Sequence, residues 1–150
     1  MFANEFSGSA LFQFAALINL RFGPGAVKTL PAEIAAMGLR KVMIVTDPGV
    51  HRAGITSGLV DGLIASGVAC DVFSDVEPNP RDVTIHAGAE RANAFGADAF
   101  IGFGGGSAMD AAKGIALLAT NSGNISDYDG IDKVKNDLPY LVAVPTTAGT

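Results

Sequence analysis

A chain of 150 residues, 49% hydrophobic and 17% charged, is too apolar for disorder and has room for one ordinary domain rather than two. Ten basic against fifteen acidic residues leave a net charge of −5, so no basic footprint exists for a nucleic acid. A single cysteine excludes a disulfide framework and a cysteine-built metal site, and fits a reducing, cytoplasmic setting.

The first apolar run is Ala10–Leu20 (ALFQFAALINL), broken by Gln13 and Asn19. It is far shorter than the roughly 20 residues of a membrane span, and no Lys or Arg precedes it as an export signal requires. Neither a membrane partner nor export is expected. The segment Leu17–Val27 holds FGPGA at 22–26; a strand is expected before it and a helix after it, with Pro31 interrupting or restarting that helix. Lys41–Asp47 (KVMIVTD) reads as a buried parallel strand closed by an Asp-Pro-Gly turn, with His51 in the turn region. Ile55, Leu59, Val60, Leu63 and Ile64 then recur at helical spacing. Val68–Phe73 is a second strand, followed by the rigid Pro78-Asn79-Pro80 turn and an alanine-rich helix over Arg81–Phe95 that Gly96 stops. Asp98–Phe103 is a third strand running into glycines. Ser107–Thr120 is a helix, Asn121–Lys135 a polar loop and Tyr140–Val144 a fourth strand.

Strands alternating with helices through short connections imply parallel pairing by crossover. The fold class is therefore α/β, a doubly wound, mostly parallel sheet covered on both faces, with any ligand outside the carboxyl ends of the strands. The chain stops at Thr150 shortly after a strand, where a helix usually follows, so residues 1–150 are expected to be a fragment, or one domain of a larger protein.

The glycines, 19 in all and without a collagen period, concentrate in Gly102-Phe103-Gly104-Gly105-Gly106-Ser107 between a strand and a helix. Such a bend lets backbone approach a pyrophosphate at the positive end of a helix. Ser107 adds a hydroxyl and the expected N-cap. Serine in the last place departs from G-x-G-x-x-G, no Gly-Lys-Ser/Thr follows, and a tight turn that needs glycine for geometry alone is the alternative. Asp47, at the same sheet edge, can accept both ribose hydroxyls of NAD and repel the 2′-phosphate of NADP, or it can simply form an Asx-turn. Asp110 and Lys113, at i and i+3, form either a surface pair or, with Asp110 in the first turn, a ligand contact. His51, His86 and Cys70 show no spacing that groups them for a metal, and Cys70 reads as a small core hydrophobe.

FGPGA (22–26), VTDPG (45–49), EPNP (77–80), GFGGGSAMDAAKG (102–114) and VPTTAGT (144–150) follow the order and spacing of the iron-containing, group III alcohol dehydrogenases. The chain resembles that family from about Asn19 onward. The resemblance implies a modified Rossmann-type dinucleotide-binding domain. In it Asp47 holds the adenosine ribose and Asn79 touches the cofactor from the PNP turn. Gly105, Gly106 and Ser107 bind the pyrophosphate, Asp110 lies near the nicotinamide ribose or substrate, and Thr146, Thr147 and Thr150 line the adenine and ribose side. The implied cofactor is NAD. A divalent metal, Fe2+ or Zn2+, is implied as well, held by an aspartate and three histidines of a helical domain that residues 1–150 lack, so catalytic and metal-ligating residues are expected outside this chain. The implied activity is hydride transfer between NAD and a primary alcohol or diol and its aldehyde, with the isolated chain supplying the cofactor half and no turnover. A zinc-dependent, glycerol-type polyol dehydrogenase and a non-catalytic nucleotide-binding domain are the alternatives. Expected partners are a small alcohol or aldehyde and further copies of the chain, at least a dimer.

Overall fold

In the computed structural model, which describes residues 18–147, a 3-10 turn at Ala26–Thr29 leads into α1 (Leu30–Ala36). There follow β1 (Lys41–Val45), α2 (Pro48–Arg52), α3 (Ser57–Ala65), β2 (Ala69–Phe73), α4 (Asp82–Phe95), β3 (Ala99–Gly104), α5 (Gly106–Thr120), a 3-10 turn at Ile125–Tyr128 and β4 (Tyr140–Pro145). Pro31 falls in the first turn of α1, where its missing N–H costs nothing, so it restarts the helix. The strand expected before FGPGA falls largely outside the described residues, as does most of the apolar run Ala10–Leu20, and residues 18–22 carry no strand. Among the described residues no helix is long and apolar enough to cross a membrane.

The four strands form one parallel sheet in the order β2-β1-β3-β4. Side-chain alternation along β1 and β3 builds a core on each face. Met43, Val45 and Phe100 pack with α4 and α5, whereas Val42, Ile44, Ala99, Ile101 and Phe103 pack with α1 and α3. That two-sided burial explains why β1 reads as an unbroken apolar run. Asp98 fastens the leading edge, its carboxylate accepting the amides of Arg40 and Lys41 at 2.8 and 3.0 Å.

On one face α4 and α5 approach through small residues. A Cβ at Gly88 of α4 would lie 2.7 Å from Ile115 Cγ1, and one at Gly114 of α5 would lie 2.9 Å from Ile85 Cγ2. On the other face only Leu59 and Leu63 of α3 are buried; Ile55 and Ile64 are 54% and 61% exposed, so the helical spacing overstated the apolar stripe. The polar stretch after α5 is pinned rather than loose. Buried Asn121 donates to the carbonyls of Leu117 and Asn136 and accepts the amides of Lys135 and Asn136.

Candidate functional site

From β1 the chain crosses to β2 on one side and then to β3 on the other, so the sheet reverses its winding between β1 and β3. At their carboxyl ends lies a cleft of about 540 Å³, lined among others by Asp47, Gly105, Gly106, Ser107, Thr146 and Thr147. Its floor is the start of α5. Gly104 has φ 151°, and a Cβ there would meet Ala108 Cβ at 2.9 Å and Asp47 Oδ2 at 3.3 Å, so only glycine passes between helix and carboxylate. Gly105, extended, is the N-cap, and no side chain caps the helix. The first helical bond runs from the Met109 amide to the Gly105 carbonyl at 3.2 Å, which leaves the amides of Gly106, Ser107 and Ala108 ahead of the ladder. Nothing lies within 4 Å of a Cβ built on Gly106. An uncapped, four-turn helix whose first residue faces open space has the donors and the dipole to receive an anion.

Ser107 is thus the second helical residue and not the N-cap expected from its type. Its Oγ instead accepts the backbone N–H of Asn79 at 3.2 Å, which ties the PNP turn to the glycine bend. Asn79 holds φ 54°, a left-handed conformation that asparagine tolerates.

Asp47 lies just beyond β1, which ends at Val45, and is the N-cap of α2. Its Oδ1 accepts the amides of Gly49 and Val50 at 2.8 and 2.9 Å. Asp-Pro starts a helix here as well as a turn, because proline suits the first helical position, and His51 therefore sits in α2 rather than in a turn. The capping reading and the ligand reading of Asp47 are compatible: Oδ2 makes no hydrogen bond among the described residues and faces Gly104 across the cleft. Beside it, Thr46 is fully buried with Oγ1 unpartnered among the described residues, 4.0 Å from the Cβ position of Gly104. A buried hydroxyl without a partner costs about 1–3 kcal/mol, a local penalty carried beneath the bend.

The wall opposite is braced by Glu77. Its carboxylate accepts the Arg81 Nε and backbone amide at 3.0 and 3.1 Å and the Thr84 hydroxyl at 2.8 Å, clamping both sides of Pro78-Asn79-Pro80. The Arg81 guanidinium first, then the Glu77 amide, the Thr84 hydroxyl and the Arg81 amide hold its pKa at about 2, against an ordinary 4.5. A depressed carboxylate contributes stability that is complete above its ordinary pKa and is lost as pH falls through the folded value. The unfolding midpoint is therefore expected to drop between pH 4.5 and about 2, and Glu77→Gln to flatten that slope, as chemical denaturation across the range would measure. Asp71, lowered by its pair with Arg91, keeps a residual slope in the variant.

Residues 18–150 match the family described as iron-containing alcohol dehydrogenase. The chain belongs to that family. It is 38% identical over 134 residues to choline dehydrogenase of Bacillus subtilis, an alignment that covers 87% of this chain and 33% of the relative. With the NAD-dependent methanol dehydrogenase of Bacillus methanolicus it shares 36% over 128 residues, covering 85% and 34%. Sulfoacetaldehyde reductase from Bifidobacterium kashiwanohense, solved in complex with NAD+, superposes with a TM-score of 0.84 at 33% identity, covering 94% of this chain and 37% of that one. The chain thus spans about a third of the length of the relatives it matches.

In this iron-containing alcohol dehydrogenase chain, not every residue singled out by sequence gathers at the cleft. Asp110 is the fifth residue of α5, past the first turn; it does not line the cleft, its side chain is 68% exposed, and it pairs with Lys113 at 2.9 Å. Thr150 lies outside the described residues. His51, His86 and Cys70 sit on α2, α4 and β2, and no group of three His, Cys, Asp or Glu suited to a metal occurs among the described residues. Cys70 is half-buried on an edge strand among the described residues, and burial, then Asp71, pushes its thiol up. Sequence reasoning passed over Thr46, Arg52, Asp75 and Glu77, although all but Thr46 line the cleft. For Glu77 a signal existed: an acid, an arginine four residues on and a threonine seven on, straddling two prolines.

Proposed function

We propose that this chain is the NAD-binding part of a metal-dependent alcohol dehydrogenase that moves hydride between NAD and a primary alcohol or diol and its aldehyde. The observation that carries this reading is the open, uncapped start of α5 at the sheet's reversal point, with a carboxylate oxygen beside it. The amides of Gly105, Gly106 and Ser107 would take the pyrophosphate, and Asp47 Oδ2 the adenosine ribose, where its charge disfavours a 2′-phosphate. Thr146 and Thr147, and Thr150 after them, would border the adenine and ribose. Asn79 would reach the cofactor from the PNP turn, and Asp110 would reach the nicotinamide end once its pair with Lys113 parts. The names of the methanol dehydrogenase and of the NAD+-complexed reductase support NAD as the cofactor. Membership of the iron-containing family supports Fe2+ or Zn2+ as the metal, which would be held by residues beyond this chain. The same reading takes the whole protein as a cytoplasmic homo-oligomer acting on small alcohols or aldehydes.

Calorimetric titration tests the cofactor assignment. Saturable binding of NAD, competed by ADP, is expected, because adenosine and diphosphate make the contacts assigned here. Absence of saturable heat with both ligands overturns the reading.

A further inference from the structure

Of the five arginines in the sequence, four are engaged. Arg21, Arg81 and Arg91 each hold a carboxylate, and Arg40 donates to the carbonyls of Ala35 and Leu39. Arg52 makes no ion pair or side-chain hydrogen bond among the described residues, yet it lines the cleft. It is also the sole positive charge among the described residues that line it, in company with the carboxylates of Asp47, Asp75 and Glu77. Glu77 is already spent on Arg81 and Thr84. Asp47 and Arg52 bracket one short helix, the first as its N-cap and the second as its last residue. At about 1.5 Å per residue their backbones stand roughly 7–8 Å apart along the axis, a span that an arginine side chain covers. A substituent on a ribose hydroxyl held by Asp47 would come within reach of both.

We propose that Arg52 is a specificity-determining residue that receives a phosphate on the adenosine ribose. Preference between the two nicotinamide dinucleotides is then the balance of Asp47 repulsion against Arg52 attraction. This rests on the ribose assignment of Asp47 above. The chemistry supports it: guanidinium recognises phosphate through paired charged hydrogen bonds, and an arginine near the ribose is the usual means of accommodating a 2′-phosphate.

The experiment measures dissociation constants for NAD and NADP on the same preparations: the unsubstituted protein, Asp47→Asn, and Asp47→Asn with Arg52→Ala. Asparagine caps helices as well as aspartate, so α2 keeps its start while the charge is removed. Asp47→Asn is expected to raise NADP affinity relative to NAD by about tenfold or more, and Arg52→Ala in that background to take the gain back. An unchanged ratio in either step overturns the proposal. Equal loss of both cofactors in the double variant also overturns it, by placing Arg52 at the diphosphate. If the unsubstituted protein binds NAD but Arg52 leaves the ratio untouched, this proposal alone fails; if NAD does not bind, the cofactor reading fails with it. Circular dichroism melts of each variant separate altered recognition from unfolding.

Discussion

Replacing Gly106 with aspartate is expected to lower NAD affinity by about a hundredfold, about 2.7 kcal/mol, while leaving the protein at least as stable. The two effects oppose each other because one feature drives both. Gly106 is the first residue of α5, and a Cβ there would meet no atom within 4 Å beyond its own neighbours in the chain, so the fold leaves room for a side chain to start. A carboxylate in the first turn complements the helix dipole and gains about 0.3–1 kcal/mol, to which the loss of a helical glycine adds a few tenths. That same carboxylate occupies the seat assigned to a diphosphate and repels it. Gly106→Asn, close in size but uncharged, separates crowding from repulsion and should retain more affinity than the aspartate. Titration calorimetry with NAD, beside a thermal melt, reads both quantities. Unchanged affinity in Gly106→Asp would remove the start of α5 from the binding site.

Gly88→Val should act in the opposite sense, destabilising by about 3 kcal/mol, a fall in melting temperature of roughly 10 °C for a chain of this size. Gly88 is buried in α4 against Ile115 of α5, whose Cγ1 would stand 2.7 Å from the new Cβ, and Phe73 Cε1 closes the other side at 3.3 Å. Better helix propensity than glycine returns only a few tenths of a kcal/mol, so overpacking decides the sign. Shortening the opposing side chain gives the check. Ile115→Ala alone should cost about 2–5 kcal/mol as a cavity, and the double variant should cost less than the sum of the singles, because each change relieves the other. Additive losses would mean that the two helices do not meet through this pair.

The four strands were legible because parallel strands buried on both faces are written as short apolar runs with turn residues behind them, as in VMIV and AFIGF. Their ends were less so. Thr46 and Asp47 continue the run in sequence, but Thr46 keeps only its amide bond to the Phe73 carbonyl of β2 and Asp47 leaves the sheet, its carboxylate accepting the amides of α2. The glycine bend was legible from residue type alone. Its internal arrangement was not. Gly106 reads as loop yet is helical, and the N-cap falls two residues earlier, at Gly105 instead of Ser107, which carries Asp110 out of the first turn. Arg52 and Asp75 carry no motif, and Thr46 stands in VTDPG with no role of its own; their relevance depends on strand order, which sets the end of β1 beside β3 and which local spacing does not encode.

The divided carboxylate of Asp47 has a consequence for how cofactor preference can drift. One oxygen latches the amides of Gly49 and Val50, and the other, without a hydrogen bond among the described residues, is the one proposed to meet the ribose. Shortening the side chain to alanine would discard the negative charge, but it would also unlatch α2 at a toll of about 1 kcal/mol. On that reading, relaxed discrimination at this position would be channelled toward residues that still present a latch, asparagine or serine, or toward glycine, whose penalty as a cap is small.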